Sequence, residues 1–191
     1  MKSTTVDIRY VNALLERGRR AGVNVDALID RLGIFPNVLA EPNARLSSEL
    51  YIRLATLMVR ATQDEFILLN GTPRTKPGTF AMMAHTVIQC PTLHKAMLRA
   101  GQFYRLFVND IRFKLTQHGD KAYYSIRFID PSIDWDHTST ESLLVIFHRF
   151  FSWLIGQRLV LDHVRLTSQS PSNAAEFRYL FRCPVKFGAE T

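Results

Sequence analysis

Hydrophobic residues recur at spacings of three and four through the first hundred positions and then at every second position, so the chain predicts helices first and strands later. Over residues 6–21, Val11, Leu14 and Leu15 form one stripe that ends at Gly22, as an amphipathic helix would. Asn24 caps a short helix carrying Leu28, Ile29 and Leu32, and Gly33 stops it. Pro36 and Pro42 bracket a connector. Ser47 or Ser48 then opens a longer helix with Leu50, Leu54, Leu57, Met58 and Ala61 facing inward, and Asp64 opens a short helical turn through Leu69. Two glycines and two prolines between Asn70 and Gly78 make a loop, either a plain connector or a lid. Phe80 to Gln89 returns to helix. Cys90-Pro91 reads as an N-cap with proline at the first helical position of a helix carrying Leu93, Met97, Ala100, Phe103, Tyr104 and Phe107.

From Asp110 the period changes. Ile111, Phe113 and Leu115 alternate with Arg112, Lys114 and Thr116; His118-Gly119-Asp120 turns; Tyr124, Ile126 and Phe128 alternate with Tyr123, Ser125 and Arg127. That is a β-hairpin with one oily and one polar face, and alternation alone does not say which face looks inward. A run from Leu143 to Ile155 then leaves almost no polar side and predicts a buried central helix, with Thr138 and Glu141 as a capping box and Gly156 as the stop. Leu159–Thr167 predicts a third strand, Ser170-Pro171 the start of a last helix with Phe177, Leu180 and Phe181, and Pro184–Gly188 a fourth strand. The fold class is therefore α+β: N-terminal helices packed with a small antiparallel sheet, the second half running β-β-α-β-α-β.

Length and composition narrow the setting. One hundred and ninety-one residues suit a single domain, and 47% hydrophobic residues with 21% charged excludes a disordered or fibrous chain. No apolar run follows Lys2, so no secretory signal is expected, and the charged central helix is too short to span a bilayer, which needs about 20 apolar residues. Cys90 and Cys183 match no metal-ligand spacing, and a cytoplasmic setting is expected. The net charge of +7 is spread over dispersed Lys and Arg, and the cluster Arg17, Arg19 and Arg20 reads as a solvated helix face rather than a DNA contact.

Catalytic signatures are missing. There is no Gly-x-Ser-x-Gly elbow, phosphate loop, dinucleotide fingerprint or paired-histidine zinc motif, and the six histidines are scattered, so no enzyme, metal or cofactor is expected. Asp134 and Asp136, flanking Trp135, read as turn formers. A binding site has more support. The aromatic surplus implies a cavity, with Met83, Phe103, Tyr104, Phe107 and Phe147 as its wall and Arg112, Tyr123 and Arg127 as polar anchors for a carboxylate. Plain core is the ordinary explanation of the first set, and a solvent-facing sheet of the second.

Several phrases together resemble one family. These are Asp30-Arg31-Leu32-Gly33-Ile34; Asn43-Ala44-Arg45-Leu46; Cys90-Pro91-Thr92-Leu93 with Ala96 and Tyr104-Arg105-Leu106; Phe177-Arg178-Tyr179-Leu180-Phe181; and Cys183-Pro184-Val185-Lys186-Phe187-Gly188-Ala189-Glu190. Their order and spacing are similar to the N-terminal effector domain of AraC-type transcriptional regulators, in the arabinose-binding-like subgroup. The resemblance implies one ligand-sensing domain over 1–191, a small-molecule effector, a possible homodimer, no membrane, and DNA binding only through a C-terminal helix-turn-helix domain absent from this chain. The aromatic and arginine residues favour an amphipathic, carboxylate-bearing effector over a sugar. Tyr123-x-Ser125-x-Arg127, preceded by His94, also resembles the heme-propionate motif of heme nitric oxide/oxygen-binding domains, whose fold has the same outline. A heme gas sensor using His94, Tyr123, Ser125 and Arg127 is accordingly the alternative.

Overall fold

The computed structural model describes residues 4–67, 74–170 and 174–189. Strand β1 (Thr5–Asp7) leads into helix α1 (Ile8–Arg20), whose first turn is closed by the Asp7 carboxylate accepting from the Arg9 amide at 2.9 Å. Helix α2 (Val25–Leu32) starts at the Asn24 cap and stops at Gly33, which takes the left-handed conformation that glycine reaches without a Cβ penalty. The proline-bracketed connector contains a five-residue helix, α3 (Pro36–Ala40). Strand β2 (Arg45–Ser47) pairs antiparallel with β1, and Ser47 caps helix α4 (Ser48–Thr62). Of the inward set expected on α4, Leu54 and Met58 are buried whereas Ala61 is exposed.

The segment after α4 is a turn rather than a helix over 65–67, and 68–73 lie outside the described residues. Asp64 organises it: its buried carboxylate accepts from the Phe66 and Thr75 amides, both at 3.1 Å, while Glu65 accepts from the Phe80 amide at 2.8 Å. Helix α5 (Thr79–Val87) follows, then α6 (Leu93–Tyr104). The cap of α6 is Thr92, whose hydroxyl accepts from the Lys95 amide at 3.2 Å, and not Cys90-Pro91; a side-chain acceptor three residues ahead of a free amide outcompetes the proline signal.

Strands β3 (Ile111–His118) and β4 (Lys121–Phe128) form the expected hairpin around Gly119-Asp120, with Ile111 opposite Phe128 and His118 opposite Lys121. Gly119 sits at a φ of 61°, which the tight turn requires. A short 3-10 turn, Pro131–Asp134, delivers the chain to helix α7 (Thr138–Leu154). The third strand is much shorter than the expected 159–167: β5 (Val164–Arg165) pairs in parallel with β6 (Val185–Lys186) across helix α8 (Ala174–Phe181). Residues 159–163 have the composition of a strand but no ladder partner, and an extended segment without one is not held as a strand. The expected helix start at Pro171 lies outside the described residues.

The architecture is thus α+β, with eight helices among the described residues and three separate two-stranded sheets. Two of the three hydrophobic clusters meet at α7. Leu143, Phe147, Phe150 and Phe151 enter the main core with α5, α6 and the oily hairpin face; Leu144 and Val145 touch the cluster of β5, α8 and β6; the third cluster lies among α1, α2 and α4. The helix is central but not buried all round, since Ile146 and Trp153 are exposed. Among the described residues no helix is long and apolar enough to cross a membrane.

Candidate functional site

The main core is built from aromatic rings. Tyr104 of α6 is 1% exposed and meets Phe66 at 5.5 Å, Phe113 of β3 at 5.1 Å and Phe147 of α7 at 5.8 Å between centroids. Tyr124 of β4 meets Phe147 at 6.1 Å and Phe151 at 5.4 Å. These are the separations of edge-on and offset ring packing, so the rings fill much of the interior where a cavity was expected. Helix spacing explains the arrangement on one side, since Phe147 and Phe151 lie one turn apart, and strand alternation on the other, since Phe113 and Tyr124 both point off the oily hairpin face.

Two polar atoms interrupt this apolar volume. The hydroxyls of Tyr104 and Tyr124 are buried without a hydrogen-bond partner among the described residues. Leaving a buried hydroxyl unpaired costs about 1–3 kcal/mol, and phenylalanine at either position would avoid that cost. Both phenols are pushed up from their ordinary value, chiefly by burial; Glu65 adds to the effect at Tyr104 and the Tyr104 ring to that at Tyr124. They therefore remain O–H donors throughout the physiological pH range.

The residues picked from sequence divide between two sides of the hairpin. Met83 and Phe147 are buried with Tyr104 in the same cluster. Phe103 is half-buried at its margin, 4.9 Å from Phe107, and Phe107 is largely exposed beyond the end of α6. Arg112, Tyr123 and Arg127 stand on the exposed face, with Arg112 directly opposite Arg127 in the ladder. Arg112 donates to the Asn109 carbonyl at 2.8 Å rather than reaching inward. They do not share a pocket with Met83, Tyr104 and Phe147. Tyr124 does not stand out in the sequence because it sits in the apolar phase of its strand. A tyrosine at such a position brings a hydroxyl that needs a partner, and that was the available signal.

The same geometry speaks against heme. His94 is exposed on α6, which packs against the oily face of the hairpin, whereas Tyr123, Ser125 and Arg127 stand on the opposite, solvent-facing side. A histidine and a propionate clamp on opposite sides of a filled sheet cannot hold one porphyrin, so these residues do not fit the group. Among the described residues no group of three His, Cys, Asp or Glu side chains is placed to hold a metal ion.

A polar seam joins the core helix to α1. Glu141, 1% exposed, accepts from the Arg9 guanidinium at 2.7 Å and from the Tyr10 hydroxyl at 2.8 Å, so it is not the capping-box partner of Thr138. The start of α7 is held instead by Asp134, which accepts from the Ser139 and Thr140 amides at 2.9 and 3.0 Å, and by Asp136, which accepts from the Thr138 amide at 3.1 Å. The two aspartates are thus helix caps as well as turn formers. Buried Arg17 donates to Asp136 at 2.9 Å and Ser139 at 2.8 Å, with its guanidinium 4.8 Å from the Trp135 ring. Burial pushes the Glu141 carboxyl up, and Arg9 and Tyr10 pull it partly back. Long-range partners of this kind leave no local sequence pattern.

Two open clefts lie at the far end of α7 and α8. One, of about 360 Å³, is lined by His148, Arg149, Trp153 and Arg158; the other, of about 480 Å³, by Arg178, Arg182 and Cys183. Neither touches the tyrosine hydroxyls.

Comparison with known proteins gives a consistent answer. The family model described as the arabinose-binding domain of AraC transcription regulators, N-terminal, matches residues 22–191. The ornithine utilization regulator of Pseudomonas aeruginosa is 23% identical over 184 residues, covering 95% of this chain and 54% of that protein. The chain therefore spans about half the length of the curated relative it matches.

Proposed function

Because the chain belongs to the family of N-terminal arabinose-binding domains of AraC transcription regulators, we propose that it senses a small amphipathic effector in its aromatic core and passes the signal to a DNA-reading domain. The observation that carries the reading is the pair of buried, unpartnered hydroxyls of Tyr104 and Tyr124. Two protonated phenols suit an acceptor oxygen on the guest, such as a carbonyl or carboxyl, while the surrounding rings suit its apolar part. The arginines of the outer hairpin face are replaced as anchors in this reading. The effector enters by parting the hairpin from α6 and α7, and the signal runs along α7 to the Arg9–Glu141 seam. A homodimer in the cytoplasm is the expected working form.

For any switch, the guest must bind one arrangement more tightly than the other. The relative is named for ornithine utilization, so amino acids join fatty acids in the set to be tried. A thermal-shift screen of L-ornithine, other amino acids, medium-chain fatty acids and sugars tests the proposal. A ligand at 100 times its Kd adds about 2.7 kcal/mol to the folded state. An amphipathic carboxylate is expected to raise the melting point and sugars to leave it unchanged. No shift with any compound would overturn the reading.

A further inference from the structure

The last quarter of the chain concentrates positive charge. Residues 149–186 hold six Lys and Arg against two acidic residues. Both acids are engaged outside the group: Asp162 lies 3.3 Å from Lys121, and Glu176 lies 2.7 Å from Arg45. Arg149, Arg158, Arg165, Arg178, Arg182 and Lys186 form no ion pair among the described residues.

The fold gathers four of these cations onto one region. Arg149 and Arg158 share the first cleft, Arg178 and Arg182 line the second, and Arg158 bridges the two by donating to the Leu180 carbonyl near the end of α8. The Arg158 guanidinium is held below its ordinary value, first by desolvation and then by the neighbouring Arg182 and Arg149. In the parallel pair, Arg165 stands beside Lys186, both exposed. Arg182 occupies a φ of 55°, a left-handed conformation that glycine would reach more cheaply.

Helix C-termini account for part of this. The ends of α7 and α8 each carry roughly half a negative charge, and basic residues near them are favourable. Two half-charges do not balance six cations, and Arg158 alone already serves a carbonyl of α8. Exposed rings complete the patch: Trp153 is 64% and Tyr179 76% exposed. Open clefts, exposed guanidiniums and flat aromatic faces suit an extended polyanion better than an enclosed small anion.

We propose that the surface at the ends of α7 and α8 docks on the phosphate backbone of duplex DNA, giving the sensor domain a weak, sequence-independent hold of its own. This inference does not depend on where the effector binds. Arg149, Arg178 and Arg182, all exposed, make the contact, while Arg158 stays in place for α8.

The test is fluorescence anisotropy of a labelled random-sequence duplex with the intact chain at increasing salt. Binding is expected at low salt, with log affinity falling by about 0.9 per phosphate contacted for each tenfold rise in salt. The triple variant R149Q/R178Q/R182Q is expected to bind at least about tenfold more weakly with a shallower salt slope. The control R19Q/R20Q/R31Q, carrying the same charge change on α1 and α2, is expected to stay near wild type. Matching melting points establish that both variants fold, and R178E alone serves should the triple variant fail. The proposal is overturned if wild type does not bind duplex at low salt, if both triple variants lose equally, or if poly-L-glutamate displaces the probe as well as unlabelled duplex does.

Discussion

Glu141 of α7 and Arg9 of α1, 132 positions apart in sequence, meet in an ion pair of 2.7 Å in which the carboxylate is almost wholly buried. The N-terminal helices are thereby fastened to the helix that carries the aromatic core. Removing one member of a buried pair leaves the other charge desolvated and unmatched, at a cost of about 3 kcal/mol. Arg9→Ala, which strands the buried carboxylate, is expected to lose about that much in urea unfolding, and Glu141→Ala less, because the Arg9 left behind keeps some solvent. Equal stability of Arg9→Ala and wild type would show that the seam holds nothing.

Close approach of α6 to the hairpin makes Gly101 sensitive. A Cβ there would lie 3.2 Å from the Phe113 backbone oxygen, and a strand carbonyl has little freedom to move. Gly101→Ala is expected to cost about 1–3 kcal/mol. At Gly18 the obstruction is tighter, 2.6 Å, but it is the flexible end of Met58. Gly18→Ala is therefore expected to cost less, and paired thermal melts would reveal the reverse order.

His148 sets a pH dependence. It is buried, its Nε2 lies 2.9 Å from the Leu159 carbonyl, and burial lowers its pKa from 6.5, with Arg158 and Arg149 acting the same way. Below pH 6.5 the unfolded chain takes up a proton that the folded chain resists. Stability from this residue is thus complete above pH 6.5 and declines as pH falls toward the lowered value. His148→Gln, which keeps a donor for Leu159, is expected to flatten that part of a melting-point profile.

Local pattern carried some elements and not others. The hairpin was legible because alternation and Gly119-Asp120 lie within a few residues of each other. Strands β1 and β2 were not, because three-residue segments pair across 40 positions and show no period of their own. Glu141 matched a local capping pattern and went to a distant arginine instead. At the candidate site, the burial of Met83, Tyr104 and Phe147 in one cluster was readable from helical spacing. The exposure of Arg112, Tyr123 and Arg127 was not, because alternation assigns Tyr124 and Arg127 to opposite faces without saying which face is covered.

The most direct test of effector sensing at the core is the double variant Tyr104→Phe/Tyr124→Phe, titrated by calorimetry with the carboxylate that most raises the wild-type melting point. Without ligand it is expected to melt at or above wild type, because two unpaired buried hydroxyls are gone. With ligand its Kd is expected to rise by about tenfold or more, the loss of two hydrogen bonds worth roughly 1 kcal/mol each. An unchanged Kd, or a ligand-free variant markedly less stable than wild type, would contradict the account.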